Sequence, residues 1–327
     1  MKVKIDELRK AAILALTNAG FEKKVAEGCA RNIIEAELAG KKTHGIQRCL
    51  HLKRSLDQGK IATSARNYKV IKRSKTHLYI NGNDLPGFYV LDRSLETSIK
   101  AAKRSKIFVV GIKNVRITGF IGGYARRVAE ENLIFIGLNN SPGGLAPHGA
   151  VKGVWGTDPL TFSVPSNGMP VIFDTASSKI TWGHLMLARK FNKKLGKDMA
   201  IDEDGNVTTD PEKAVALLPF FGHKGSGFAM VVELLAGILT GSGVGKSIPG
   251  GWGSFYILID PTLFRPIKDF KKDVDTMINE LKSLPKAKGV KEIFYPGEQS
   301  GKVRERNLKR GWIDVDKKLW EEVKELA

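Results

Sequence analysis

The stretch IFVVGIKNVRITGFIGGYARRVAEENLIFIG, residues 107–137, decides the fold class. It contains two short continuous apolar runs, at 107–111 and 133–137. Between them, residues 122–131 have helical character. A strand, a helix and a second strand in that order predict two parallel strands buried on both faces, within an α/β protein.

The chain on either side fits that frame. Residues 5–19 place Ile5, Leu8, Ala12, Ala15 and Leu16 at helical spacing, and Gly20 stops the run. Residues 22–39 repeat the pattern with Val25, Cys29, Ile33 and Ala36 before Gly40, and a third helix is expected over 45–57. Residues 1–66 therefore form a helical N-terminal unit. The period then changes. Strands are expected at 68–71 and 77–80 around a polar turn, at 160–164, 171–174 and 255–260, and briefly at 293–295. Helices are expected at 91–105, 227–240, 268–283 and 316–326. An α/β region over 67–226 and a helix-strand-helix region over 227–327 complete the fold.

Composition narrows the function classes. The chain has 327 residues, 42% of them hydrophobic, which suffices for a large core. Two cysteines, Cys29 and Cys49, give neither a disulfide framework nor a metal spacing, and point to a reducing, cytoplasmic setting. No metal is expected. The apolar run 228–239 is interrupted by Glu233 and is too short to cross a bilayer. The net charge of +19 raises the question of nucleic acid. Its lysine pairs are scattered among acids and no basic tract carries aromatics, so the charge suits small anionic ligands instead.

Thr43-His44-Gly45-Ile46-Gln47-Arg48 puts an imidazole four residues before a guanidinium. A helix entered at Gly45 would set both on one face, a turn apart. The first group exchanges a proton near neutral pH and the second clamps a carboxylate. Taken alone, the six residues also read as a surface histidine beside a surface arginine, a pairing that occurs often by chance. Four loops add to them. Asn139-Asn140-Ser141-Pro142-Gly143-Gly144 follows a strand, where α/β proteins bind ligands. Asp174-Thr175-Ala176-Ser177-Ser178 reads as a ligand loop or a helix cap. Gly222-His223-Lys224-Gly225-Ser226-Gly227 feeds a helix and is able to hold an anion, though it is no Walker loop. Pro296-Gly297-Glu298-Gln299-Ser300-Gly301 is a turn by itself.

Together these segments resemble the malate/L-lactate dehydrogenase type-2 family. The resemblance runs through THGIQR at 43–48, GIKN at 111–114, NNSPGGLAPHGA at 139–150 and GTDPLTFSVP at 156–165. It continues through FDTASS at 173–178, GHKGSGFAMVVELLAGILTG at 222–241, ILIDP at 257–261 and YPGE at 295–298. It implies a non-Rossmann, mixed-sheet cofactor domain, in line with the absent GxGxxG, packed with helical N- and C-terminal parts in a homodimer. It implies NAD- or NADP-dependent interconversion of a small 2-hydroxy acid and its 2-oxo acid. His44 would then donate or accept the proton, and Arg48 would clamp the carboxylate. Ser141, Pro170, Val171, Ile172, Phe173, Asp174, Thr175, Ala176, His223, Lys224, Gly297, Glu298 and Gln299 would surround the dinucleotide. Three departures stand out: Ile117 where many relatives have histidine, Leu52 where a tyrosine is frequent, and a short loop between Gly245 and Trp252. His148 is a candidate substitute base. The alternatives are a dinucleotide-binding homologue with lost activity and a reductase of a cyclic imino acid.

Overall fold

The computed structural model describes residues 1–245 and 251–327; the middle of the Gly245–Trp252 loop lies outside them. The chain runs β1 (Lys2–Lys4), α1 (Ile5–Asn18), α2 (Lys23–Leu38), a 3₁₀ turn (Lys42–His44), α3 (Gln47–Asp57), β2 (Lys69–Arg73), β3 (His77–Pro86), α4 (Gly87–Ser105), β4 (Ile107–Arg116), α5 (Ile121–Glu130) and β5 (Ile134–Asn139). There follow β6 (Leu160–Val164), β7 (Val171–Thr175), α6 (Trp182–Lys190), β8 (Ala200–Ile201), β9 (Val207–Thr208), β10 (Ala216–Leu217) and α7 (His223–Val232), which continues as a π-helical segment, Glu233–Leu239. The chain ends with β11 (Trp252–Ile259), α8 (Ile267–Ser283), α9 (Glu298–Arg310), β12 (Trp312–Asp314) and α10 (Lys317–Leu326).

Seven strands form one mixed sheet in the order β2-β3-β4-β11-β5-β6-β7. Only β3 and β4 are parallel neighbours. The expected parallel pair over 107–137 is therefore corrected. β4 and β5 do point the same way, but β11 lies between them, antiparallel to both. Phe255 sits opposite Gly111 on one side and Leu138 on the other. Burial on both faces is corrected too, because β4 and β5 alternate between buried and half-buried positions. One face, with Phe108, Val110, Ile112, Phe135, Tyr256 and Leu258, joins the main core under α4 and α5. On the other face, Val232 and Ala236 pack on Leu138.

Helices α1, α2 and α3 form where the periodicity places them. Leu8, Ala12, Leu16, Val25, Cys29, Ile33 and Leu52 are buried in that same core, joined by Trp320 and Val323 of α10. The pairing of β1 with β12 ties the two ends of the chain together. The expected strand at 293–295 is absent: these residues stay outside any ladder, although Ile172 N–H donates to Pro296 O at 2.9 Å. α8 covers that edge, with Val274 packed against Val171 and Tyr295. Among the described residues no helix is long and apolar enough to cross a membrane.

Candidate active site

The segment Thr43–Arg48 is positioned by a buried carboxylate. Glu37, at the end of α2 and 1% exposed, accepts from Ile46 N–H at 2.8 Å and pairs with Lys42 at 2.9 Å. It thereby satisfies a free N–H at the start of α3. A Cβ on Gly45 would lie 2.0 Å from Glu37 Oε1, so a side chain there would displace the capping carboxylate. The cap delays the helix. α3 begins at Gln47, and His44 closes the preceding 3₁₀ turn instead of standing on the helix with Arg48. The Arg48 charge nevertheless acts on His44 across the turn.

Arg48 Nε donates to Thr43 O at 2.9 Å, and its Nη1 lies 3.2 Å from His51 Nδ1. His44 Nδ1 lies 3.0 Å from the Thr43 hydroxyl. Its Nε2 has no hydrogen-bond partner among the described residues. Burial, then the charges of Arg48 and Lys41, lower the His44 pKa to about 3. Burial lowers Arg48 to about 10. Burial and Arg48 bring His51, which the sequence reading missed, to about 4. A neutral imidazole thus sits beside a guanidinium that has no carboxylate partner among the described residues, an arrangement suited to an anionic ligand. The position of a Cβ on Gly183, at the start of α6, is 3.9 Å from Arg48 Nη2, so α6 closes one side of this strip.

A cleft of about 170 Å³ opens beside it, lined by Ile172, Phe173 and Asp174 of β7, Pro296, Gly297 and Ser300 at the start of α9, and Lys41, Phe120, Gly122 and Arg126. Asp174 accepts from Thr161 Oγ1 at 2.7 Å and Gly122 N–H at 2.9 Å. Asp174 is exposed at its surface, yet the packing crowded around its carboxylate pushes its pKa up, while those bonds and Lys41 pull it down. Gly297 has φ +89, and a Cβ there would lie 2.9 Å from Ile172 N, so glycine is required where α9 meets β7. Lys41 lines the cleft and its charge also acts on His44, which joins the two halves of the site. Lys41, Arg126 and Glu37 were not singled out by sequence. Their signal is long-range, with α2, α5 and β7 meeting only in the fold.

The remaining expected residues are distributed unevenly. Glu298 is buried and turned into a network with Lys282 and Lys302, and Gln299 is exposed. Pro170, Val171, Thr175 and Ala176 flank the cleft residues along the same strand. His223 and Lys224 are exposed on the first turn of α7, which starts four residues earlier than its apolar run suggests. His148 lies against them, with its N–H donating to Ser226 Oγ at 2.7 Å and its ring 6.1 Å from that of His223. Ser141 contacts Gly156 beyond β5; like His223 and Lys224, it does not line the β7 cleft. Ile117 has φ 52, a left-handed conformation that a β-branched residue rarely adopts.

The malate/L-lactate dehydrogenase family model matches residues 3–324. A malate/(S)-sulfolactate dehydrogenase of Methanothermus fervidus is 33% identical, over 100% of this chain and 97% of the relative. The crystal structure of malate dehydrogenase from Entamoeba histolytica superposes with a TM-score of 0.92 at 25% identity, covering 100% of this chain and 97% of that one. The Δ1-piperideine-2-carboxylate reductase of Pseudomonas syringae pathovar tomato gives 0.89 at 27% identity, with both chains fully covered.

Proposed function

We propose that this chain, which belongs to the malate/L-lactate dehydrogenase family, interconverts a small 2-hydroxy acid and its 2-oxo acid with NAD or NADP. The observation that carries the reading is the Arg48–His44 strip, joined through Lys41 to the β7–α9 cleft. The cofactor supplies or receives the hydride. Arg48 binds the substrate carboxylate through the N–H groups not engaged by Thr43 and His51. His44 presents Nε2 to the substrate oxygen, with Thr43 fixing the ring through Nδ1. In oxidation the neutral imidazole accepts the hydroxyl proton. In reduction, a carboxylate on Arg48 cancels one of the charges that keep His44 deprotonated, so arrival of the substrate favours the imidazolium that must donate. Phe173, Asp174 and Gly297 form the dinucleotide side, and Ser141, His223 and Lys224 extend it.

The test is NADH and NADPH oxidation against a panel of 2-oxo acids and cyclic imino acids. His44→Ala is expected to lower turnover by roughly 10²–10⁴-fold; an unchanged rate removes the proton role. A second reading, reduction of a cyclic imino acid, is favoured by the likeness to the piperideine carboxylate reductase. The same panel separates the two. Dinucleotide binding without turnover of any compound would favour a homologue that has lost activity, the reading to which Ile117 points. A homodimer in the cytoplasm belongs to the proposal. The exposed Phe228, Val231, Leu234 and Ile238 form an apolar strip along α7 and its π-helical extension, suited to a second copy.

A further inference from the structure

Asp158 is fully buried, and among the described residues neither carboxylate oxygen has a hydrogen-bond partner of full geometry, although the backbone N–H groups of Ser141 and of Asp158 itself lie near enough to favour its ionised form. The group that faces it is the carboxyl of Glu233, itself 3% exposed, on the π-helical segment. Glu233 in turn accepts from Asn140 Nδ2 at 3.0 Å. The other contacts of Asn140 fix it completely. Its Nδ2 also donates to Gly243 O at 3.0 Å, its Oδ1 accepts from Gly253 N–H at 2.7 Å, and its own N–H donates to Gly253 O at 3.1 Å. On the opposite side, Ser177 Oγ donates to Asp158 O at 2.6 Å. A Cβ on Gly156 would lie 2.1 Å from Ser141 Oγ and 2.6 Å from Asp158 Oδ1. Three segments thus meet at one carboxyl pair, the loop after β5, residues 156–158 and the π-helical segment, while the loop after β7 holds the Asp158 backbone.

Two buried carboxyls facing each other cannot both be ionised; one must keep a proton and donate it to the other. Glu233 already accepts from Asn140, so the proton belongs on Asp158. Burial and the neighbouring Glu233 charge push Asp158 well above the usual carboxylate range, and burial raises Glu233 as well. Glu233 is the titratable side chain acting on Asp158, and Asn140, the side chain that bonds Glu233, is neutral.

We infer that Asp158 is a positioning residue, which through a proton shared with Glu233 holds the Asn139–Ser141 loop in the geometry that receives the dinucleotide. The inference rests on the functional reading above for its ligand. Loss of the proton leaves two facing anions without a cation, and the loop loses its anchor. Asp158→Asn is the informative variant. Asparagine donates to Glu233 at any pH, and it tolerates the φ of 37° at this position as aspartate does.

The experiment is dinucleotide affinity measured by NADH and NADPH fluorescence from pH 6 to pH 10, with thermal unfolding recorded in parallel. Wild-type affinity is expected to fall at least tenfold on the alkaline side, while Asp158→Asn stays within about threefold of its neutral value. Asp158→Ala, which keeps no donor, is expected to bind at least tenfold more weakly at pH 7 while still unfolding cooperatively. An alkaline fall of equal size in wild type and Asp158→Asn overturns the inference. So does a wild-type affinity that is flat with pH. No binding of either dinucleotide at any pH removes the functional reading itself. In that case a melting temperature that falls with pH in wild type but not in Asp158→Asn still identifies the shared proton.

Discussion

Asp92 and Asp158 are both withdrawn completely from solvent, and their surroundings are opposites. Asp92 of α4 is met by two guanidiniums, Arg31 of α2 and Arg127 of α5, with Arg31 Nε at 2.9 Å. Asp158 is met by another carboxyl. The first arrangement neutralises a charge permanently and clamps three helices onto the sheet. The second is stable only while a proton is present, and it sits among the loops proposed to bind ligand. The distribution of apolar surface follows the same division. The helical layer buries its side chains in the main core, whereas α7 and its extension leave Phe228, Met230, Leu234 and Leu239 in the open. One region is finished by its own chain; the other leaves an exposed apolar strip and a buried carboxyl pair, for which a second copy and a dinucleotide are the partners proposed.

The largest effect should come from the finished region. Asp92→Ala leaves Arg31 and Arg127 without their acceptor. Loss of one partner of a buried ion pair costs about 3–5 kcal/mol. Both arginines reach water with part of their length, which places the expected loss near the lower end. Urea unfolding checks it, and a loss under about 1 kcal/mol would break the comparison. Leu234→Glu puts a carboxylate in the exposed apolar strip. It should weaken self-association at least tenfold, about 1.4 kcal/mol or more, in sedimentation or light scattering, with the monomer still folded. Unchanged association would show that the strip serves another purpose.

Asp158→Asn should have a smaller, pH-graded effect on stability. A carboxyl whose pKa is raised by folding contributes stability that is fully present below its unfolded pKa. That stability is lost as pH rises toward the folded value. The melting temperature of wild type should therefore drop relative to Asp158→Asn as pH climbs from the ordinary carboxylate range upward. A constant difference would mean that Asp158 does not exchange its proton in this window. Ile117→Asn should do least. Release of left-handed strain offsets the lost packing, and the change in unfolding free energy should stay within about 1 kcal/mol.

Much of the helical layer was legible because its signal is local. Leu8, Ala12, Ala15 and Leu16 announce α1, and Val25, Cys29 and Ile33 announce α2, within a few turns of chain. The sheet order was not legible. Nothing in residues 107–137 tells that Trp252–Ile259 will come between the two apolar runs, because strand pairing across more than a hundred residues leaves no period in the sequence. The site was legible in the same uneven way. His44 and Arg48 stand close together in sequence and were readable as a pair. Their helical register was misjudged because the cap on Ile46 comes from Glu37, on another element. Phe173 read as a strand residue, Asp174 as a cap and Gly297 as a turn, and only the family resemblance put them on one cofactor. Glu233 was noticed as a charge interrupting an apolar run. A carboxylate amid such a helix is itself a signal for a buried partner, and that partner is Asp158.

The insertion of β11 between β4 and β5 also fixes an order of events during synthesis. Until residue 259 has left the ribosome, β2–β4 and β5–β7 are two separate half-sheets, each with an open edge at what will become the centre. The strand that closes them follows β5 by more than a hundred residues. The nascent chain therefore carries exposed, apolar strand edges until that strand arrives. Its vulnerability to misassembly is concentrated at the middle of the sheet, on β4 and β5, rather than at the finished protein's outer strands.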